Sequence, residues 1–433
     1  MPEMFTTTTI QQLAKRFREP GWLTDLRRTA WSRHAELPWP HPSDEVWRRL
    51  DVSLLDPLRG FAPTAAETAQ RIALSEEQLD AYTKPLGNES LAVRANGDWL
   101  VPPQVRDAAV EDLGQALASR PDPIQRVLMA DGLTAAEQKL ATLNTAFHHD
   151  DVVVQVPADR AVETPIRLVH LSSVRGRQAL FPVTLVLVGA GSRLTLIDEY
   201  VSLSSDGTTE PHLINGRIEL VVEPNAKVHY VRLQRWGPTA REFILLRATL
   251  GAGASLTMAN LNLGAALSKA HLATRFTGAG ASSQIYGFVL GRGTQHIDQH
   301  TLQDDQAPQT TSDLQFRAAL RDQSRMVYTG LIRIAKEARQ TNAYQSNHNL
   351  LLSQGAQAET IPMLEILADD VQCNHGASIG PIDEEQVFYL MSRGIPRGSA
   401  ERLVAMGFVE PIIQQVPFPL LQERLRDEIE RAL

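Results

Sequence analysis

The chain repeats one phrase four times, as GAGSRLTL from Gly189, EPNAKVHY from Glu223, GAGASLTM from Gly251 and GAGASSQIY from Gly278. Each version begins with small or turn-forming residues and continues into alternating aliphatic and polar residues. The starts lie 34, 28 and 27 residues apart, a spacing that indicates internal repeats of one structural unit. A parallel β-helix requires this pattern, because each coil needs a tight corner and buries its apolar side only against neighbouring coils.

Shorter versions of the phrase follow toward the C-terminus, with RQTNAYQ from Arg339, GAQAETIP from Gly355 and ADDVQCNHGA from Ala368. Runs of β-branched residues that predict strands lie between the phrases: 183–188, 218–222, 243–250 and 331–335. A β-sandwich with regular hairpins is the alternative. This region holds only two Asn-Gly or Asp-Gly pairs, at Asp206-Gly207 and Asn215-Gly216, whereas a sandwich of this length would be expected to show more. The count favours the solenoid.

Both ends of the chain have a helical texture. The first 130 residues are rich in Ala, Arg, Leu and Glu with clustered prolines, which predicts short helices joined by loops. A helix over about 134–148 places Leu140, Leu143 and Phe147 on one face. The last helix, about 419–433, repeats apolar residues at four-residue spacing. We expect the C-terminal helices to cover the end of the solenoid, since an open coil exposes unpaired strand edges.

Composition limits the class of function. The 433 residues are 43% hydrophobic and carry a net charge of -8 without a long basic run, which argues against nucleic acid and anionic membranes as partners. No leader pattern or apolar run of transmembrane length is present. A single cysteine, Cys373, excludes an internal disulfide and a self-contained zinc finger. We therefore expect a cytoplasmic protein in a reducing compartment.

The stretch CNHGASIGPIDEEQVFYLMSRGIP, from Cys373 to Pro396, resembles the C-terminal signature of the SufB/SufD family of iron-sulfur cluster assembly proteins. Four further stretches resemble the same family: LPWPHPSDEVWRRLDVSLLDP from Leu37, LNTAFHHDDVVVQVP from Leu143, HIDQHTLQDDQAPQTTSDLQF from His296 and YQSNHNLLLSQGAQAETIPMLEILADDVQC from Tyr344. The resemblance covers nearly the whole chain. The SufB branch carries more cysteines and an acidic-His-acidic run where this chain has Cys-Asn-His, so the resemblance points to the SufD branch.

The resemblance implies a mainly β architecture of three parts. These are an N-terminal helical domain over 1–149, a right-handed parallel β-helix over 150–380 and a C-terminal helical domain over 381–433. It further implies a non-catalytic subunit that pairs with a SufB-like paralogue and docks a SufC-like ABC ATPase through its C-terminal helices. A homodimer is the expected state when the paralogue is missing. The chain has no Walker A motif for nucleotide hydrolysis.

Two residues are the main candidates for contact with iron or a cluster. Cys373 and His375 are two apart, so on a strand their side chains project from the same face. A tetrahedral metal or a cluster needs about four donors, so any such site needs completion by another subunit. We expect no stably bound cofactor, and a transient iron-sulfur cluster or iron at the partner interface. The alternative is structural, with Cys373 packed as a small apolar residue and His375 bonded to a turn.

Weaker candidates follow from spacing and resemblance. His296 and His300 alternate with Asp298 and are candidate metal ligands, although a polar subunit contact or a solvated edge explains such a row equally. Gln306 stands where the family often has a further His, which weakens the metal interpretation of this segment. The family signature also suggests a set of partner-binding residues on the C-terminal helices: Asp383, Phe388, Tyr389, Arg393 and Gly394.

Two rival functions remain. Carbohydrate-active lyases and hydrolases also use parallel β-helices, but the helical ends and the signature from Cys373 argue against them. A SufB-like scaffold working as a homodimer is the nearer rival. Its difficulty is that two copies bring only two thiolates.

Overall fold

The N-terminal segment of the computed structural model combines helices with short strands. The structure describes residues 4–41, 43–63, 76–129, 135–172, 177–203 and 210–433. The helices of this segment are α1 (Thr7–Arg16), α2 (Gly21–Glu36), α3 (Glu76–Thr83), α4 (Leu113–Ser119), α5 (Pro121–Leu128) and α6 (Ala135–Phe147), with a 3-10 turn at Val52–Leu55. Its strands are β1 (Ala62–Pro63), β2 (Ser90–Ala95), β3 (Asp98–Val101) and β4 (Ala109–Asp112).

The centre of the chain is a long series of strands. They are β5 (Asp150–Val156), β6 (Ile166–Ser172), β7 (Gln178–Leu180), β8 (Pro182–Val188), β9 (Arg193–Ser202), β10 (His212–Val222), β11 (Lys227–Arg235), β12 (Ala240–Leu250), β13 (Ser255–Asn262), β14 (Leu267–Phe276), β15 (Ser282–Gly291), β16 (His296–Asp305), β17 (Thr311–Leu320), β18 (Arg325–Ile334), β19 (Thr341–Leu351), β20 (Gln357–Ile366) and β21 (Val371–Pro381). Three helices follow: α7 (Glu384–Ser392), α8 (Arg397–Ile413) and α9 (Pro419–Ala432).

From β8 onward, successive strands alternate between two sheets. Sheet 1 runs β4-β5-β8-β10-β12-β14-β16-β18-β20, and sheet 2 runs β3-β2-β6-β9-β11-β13-β15-β17-β19-β21. From β5 onward neighbours within each sheet are parallel, with Arg241 opposite Leu267 and Leu267 opposite His296. The chain therefore climbs one coil in 26 residues and the next in 29. The predicted parallel β-helix is confirmed.

The repeated phrases form the corners between the two sheets. Asn225 and Gly253 have φ values of +60° and +64°, a left-handed conformation that Asn and Gly adopt at least cost. Gly278 is required for a different reason. A Cβ atom there would lie 2.0 Å from the backbone nitrogen of Ala252 in the preceding coil.

The sandwich alternative is excluded by strand pairing. Asn215 and Gly216 lie inside β10 and pair in parallel with Phe243 and Ile244 of β12, so they form no hairpin. The other hairpin signal, Asp206-Gly207, lies outside the described residues.

The core lies between the two sheets and is mostly aliphatic. Inward positions such as Leu196, Tyr230 and Leu256 are fully buried. A cluster of buried polar side chains interrupts this core. In it Arg232 forms an ion pair with Glu242 and donates hydrogen bonds to the side chains of Asn260 and Asn262. Because each charge is held by its partner, the loss of one would leave the other uncompensated.

The N-terminal segment packs on the outer face of sheet 1. Leu140, Leu143 and Phe147 of α6 are fully buried there, which confirms the predicted helix and its apolar face. Strands also contribute to this segment, since β4 pairs antiparallel with β5 and β2 pairs with β6. The sequence texture had suggested helices and loops alone.

The C-terminal helices do not cover the end of the solenoid as expected. Their apolar faces, including Leu421, Leu425 and Ile429, pack beside the solenoid against outward residues of sheet 2 such as Leu233 and Phe288. The reason is that outward Leu, Val and Phe residues on β11 to β15 offer an apolar surface there. Within the described part of the chain, no helix combines the length and apolarity needed to cross a bilayer.

Candidate functional site

The last strand carries the main candidate ligands. In β21, Cys373 pairs with Ala343 and His375 pairs with Gln345 of β19. Both partners on β19 are buried, and they belong to the row of side chains that points into the solenoid. Cys373 and His375 therefore leave the same face of one strand, on the interior side of the final coil.

The two side chains differ in exposure. Cys373 is half-buried and packs beside Ile332, Ile334 and Ala343, whereas His375 is exposed. Burial, and then the nearby charge of Asp305, raises the pKa of the Cys373 thiol to about 11. The free thiol is thus protonated at neutral pH, and coordination of a metal would be needed to remove its proton.

Among the strands that the structure describes, none pairs with the outer edge of the final coil. Strands β20 and β21 stand at the ends of the two sheets, where β20 pairs with β18 and β21 pairs with β19. Side chains that would be core residues in an inner coil are exposed here: Leu364 39%, Ile366 40% and Ile379 43%. An open edge with exposed apolar residues is typical of a surface that pairs with another chain.

The interior beneath this coil is polar. Gln345, Asn347 and Asn349 of β19 point inward and are buried, and Asn349 donates to the Asn347 side chain at 2.6 Å. Asp305 lies on the same interior surface, and burial raises its pKa to about 6. Cys373 and His375 therefore connect an exposed end of the solenoid with a polar interior.

The ligand set at this end is incomplete. Among the residues that the structure describes, no third His, Cys, Asp or Glu joins Cys373 and His375 at metal-binding distance. Two donors do not satisfy a tetrahedral metal or a cluster.

The weaker candidates on β16 lie elsewhere, on the outer face of sheet 1. His300 stands beside His271 of the neighbouring strand, with 3.4 Å between their Nδ1 atoms. His271 and His300 form a group of metal-ligating side chains with Glu137 of α6, and His296 lies outside this group. Asp298, which stands between His296 and His300 in the sequence, pairs with Lys269 at 2.8 Å. Sequence patterns had singled out neither Glu137 nor His271. The pairing of His271 with His300, one 29-residue coil apart, was the signal that could have revealed the histidine.

The suggested partner-binding residues lie on α7 and at its ends. Asp383 caps the helix by accepting from the backbone N–H groups of Glu385 and Gln386, and Gly394, with φ +88°, follows its C-terminus. These two residues therefore have local structural roles. Phe388 and Tyr389 are 72% and 57% exposed.

A groove of about 890 Å³ runs along this region between α7, α8 and the end of β21. Tyr389, Leu403 and Phe408 contribute its apolar walls, and Asp383 and Glu385 contribute carboxylates. Arg393 lies over the Tyr389 ring, with 5.3 Å from its guanidinium carbon to the ring centroid. The helices thus present an exposed apolar surface with charges at its border.

Residues 170–408 match the SufBD core domain of the SUF system for iron-sulfur cluster assembly. The chain belongs to the SufBD family. The matched region contains most of the β-helix, both candidate ligands of β21 and the whole of α7.

Other SufBD proteins are similar along nearly the whole chain. An iron-sulfur cluster assembly SufBD family protein of Synechocystis is 28% identical over 94% of this chain and 90% of its own length. The iron-sulfur cluster assembly protein SufD of Bacillus subtilis is 26% identical over 98% of this chain and 97% of its own. A SufBD family protein of Mycobacterium tuberculosis is 27% identical over 91% and 89%. The chain is a SufD-like iron-sulfur cluster assembly protein of this family.

Proposed function

We propose that this SufBD family protein is a non-catalytic SufD-like subunit that pairs with a SufB-like paralogue through the open end of its β-helix. At that interface Cys373 and His375 supply two ligands to transient iron or a transient iron-sulfur cluster. The C-terminal helices dock a SufC-like ABC ATPase. The proposed compartment is the cytoplasm, where a single reduced thiol persists.

The open final coil is the observation that carries the proposal. Two strand edges and three partly exposed aliphatic side chains are available at one end of the solenoid. A second β-helix approaching this end would satisfy backbone groups and bury the apolar residues at the same time. Cys373 and His375 lie within the surface that would be covered.

The incomplete ligand set supports a shared site. Two donors from this chain leave about two positions for a partner on a tetrahedral metal. A SufB-like paralogue with more cysteines is suited to fill them. A homodimer of this chain would offer only two thiolates, one Cys373 from each copy.

The surface of α7 and α8 supports the docking of a further protein. Phe388, Tyr389 and Leu403 are each more than half exposed, although large apolar side chains usually avoid water. Such a surface beside a groove is typical of a protein-protein contact.

The experiment is to co-express the chain with its SufB and SufC counterparts and measure complex formation, iron and sulfide. Cys373→Ala and His375→Ala are compared with wild type and with His348→Ala. His348 is a matched control because it lies on the adjacent strand β19 but points to the outer side of the sheet. We expect all four complexes to form, with cluster content reduced only in the first two variants.

Three results would count against parts of the proposal. Unchanged iron and sulfide in the Cys373 and His375 variants would leave the chain as a scaffold without ligands. Failure of wild type to form a complex would contradict the pairing itself. For the ATPase, Phe388→Asp should abolish co-purification of SufC while Leu420→Asp, on the 49% exposed Leu420 of α9, should not; equal effects would contradict docking at α7.

A further inference from the structure

Three metal-ligand side chains from distant parts of the chain converge on the outer face of sheet 1. They are Glu137 of α6, His271 of β14 and His300 of β16. The Oε1 atom of Glu137 lies 2.7 Å from Nδ1 of His271, which in turn lies 3.4 Å from Nδ1 of His300. One donor atom from each residue falls within 4.8 Å of the other two. This group lies outside the surface assigned to partner binding.

The fold brings the group together through two separate contacts. Parallel pairing of β14 with β16 sets His271 directly opposite His300, and both point away from the solenoid interior. Helix α6 packs on the same face of sheet 1 and thereby fixes the position of Glu137 along its axis. Glu137 lies three residues before the fully buried Leu140. Side chains three apart on a helix share a face, so burial of Leu140 directs Glu137 toward the sheet.

The surroundings hold the His271 ring in one orientation. Trp47 stacks on it with ring centroids 5.4 Å apart, and Phe243 lies 5.6 Å away on another side. Among the described residues Nε2 of His271 has no hydrogen-bond partner, so the polar contacts of this ring are all at Nδ1.

The nearest positive charge is already compensated. Lys269, two residues before His271, pairs with Asp298 at 2.8 Å and donates to the Val46 carbonyl. On the same strand as His271, Lys269 is thus held by Asp298 and by the Val46 carbonyl.

Hydrogen bonding alone satisfies only part of this arrangement. If Nδ1 of His271 carries a proton and donates it to Glu137, the same nitrogen cannot also accept a hydrogen bond from Nδ1 of His300. If it carries none, it faces a carboxylate without a proton between them. A cation would accept lone pairs from all three atoms at once.

The separation of the two imidazole nitrogens suits a small transition-metal ion. With Zn–N bonds of about 2.0–2.1 Å, tetrahedral geometry separates neighbouring donor atoms by roughly 3.3 Å. The two imidazole nitrogens stand at 3.4 Å. Oε1 of Glu137, now at hydrogen-bond distance from Nδ1 of His271 (2.7 Å), would have to move away by roughly 0.6 Å to share the ion. His300 is partly exposed, so its side chain has room to adjust.

We propose that Glu137, His271 and His300 form a binding site for a divalent first-row transition-metal ion, with Zn²⁺ as the probe that fits its geometry. Two imidazoles and one carboxylate are a donor set that such ions accept, and Fe²⁺ shares this chemistry. The ion would tie α6 to two successive coils. The inference stands on residues separate from the proposed cluster interface and does not depend on it.

The test measures Zn²⁺ binding by the purified chain in a Cys373→Ala/His375→Ala background, which removes the other candidate ligands. Isothermal titration should show one Zn²⁺ per chain in this background. Adding His300→Ala should abolish that binding over the same concentration range. Adding His296→Ala instead should leave it unchanged, because His296 occupies the same row of β16 but is outside the group. Parallel anaerobic titrations with Fe²⁺ decide which ion binds more tightly.

Two further measurements keep the test independent of folding. Glu137→Gln retains a hydrogen-bonding group beside His271 and should weaken Zn²⁺ binding while circular dichroism stays unchanged. Co²⁺ bound in the background should give the visible bands of a tetrahedral nitrogen and oxygen site, and His300→Ala should remove them. The proposal is overturned if the background binds no Zn²⁺, or if the His300 variant binds it as tightly as the background does.

Discussion

A charge placed on the open end of the solenoid tests the proposed pairing most directly. Ile379 of β21 is 43% exposed on the interior side of the final coil. In the isolated chain Ile379→Asp should lower the free energy of unfolding by roughly 1–2 kcal/mol, because the buried part of the Ile379 side chain is lost while the new carboxylate still reaches water. In a complex the same carboxylate would be covered by the partner.

The size of the effect follows from the exposure. Burial of an entire Ile side chain is worth roughly 1.5–3 kcal/mol. The 43% still exposed in the free chain therefore contributes on the order of 1 kcal/mol to pairing. Burying an unpaired polar group costs a further 2 kcal/mol or so. The loss of about 3 kcal/mol corresponds to a roughly hundredfold weaker complex.

Affinity can be measured by biolayer interferometry with the immobilised SufB-like paralogue. Leu58→Asp is the control, because Leu58 is 50% exposed and belongs to the N-terminal segment, away from the final coil. The reasoning is refuted if Ile379→Asp binds as wild type does, or if both variants lose the same affinity. Sedimentation of the isolated wild-type chain gives the matching test of the homodimer, which Ile379→Asp should dissociate.

Three further predictions concern stability and are measured by urea unfolding of the isolated chain. Gly278→Ala should lower the free energy of unfolding by roughly 3 kcal/mol, because the added Cβ would lie 2.0 Å from the backbone of the preceding coil. Gly380→Ala is the control and should lower it by under about 0.5 kcal/mol, because no atom lies within 4 Å of a Cβ at that position. Arg232→Met should cost about 3–5 kcal/mol by leaving its buried carboxylate partner uncompensated, while Arg193→Met, from an ion pair with both side chains more than half exposed, should cost under about 1 kcal/mol. Burial lowers the pKa of His212 from 6.5 to about 4. As the pH falls from 6.5 to about 4, the imidazole of the unfolded chain is protonated while that of the folded chain stays neutral, so the free energy of unfolding decreases. His212→Gln should remove roughly 3 kcal/mol of that loss at pH 4, and an unchanged pH profile would contradict the assignment.

The coil architecture was predictable because its signals are local. A corner needs residues that tolerate a left-handed backbone, and Asn225 and Gly253 supply them within the repeated phrases. Alternation of inward and outward side chains is likewise a property of neighbouring residues. Strand β21 was predicted in this way, and with it the shared face of Cys373 and His375.

The position of the C-terminal helices was not predictable from such signals. The spacing of Leu421, Leu425 and Ile429 indicates which face of α9 is buried, but an amphipathic pattern does not identify the surface that buries it. Outward apolar residues on sheet 2, among them Leu233 and Phe288, bury this face in the folded chain. The described C-terminal helices therefore lie beside the solenoid and not over its end.

The convergence of Glu137, His271 and His300 likewise depends on long-range packing, which local sequence patterns do not specify. Turn residues and alternation specify that a coil forms, and a two-residue spacing specifies that Cys373 and His375 share a face. Whether His271 meets His300 depends on the exact length of one coil, and Glu137 joins them from 134 residues before His271. Such contacts depend on the register of the strands and on how the helix packs against them, and both are decided by many residues far apart in the sequence.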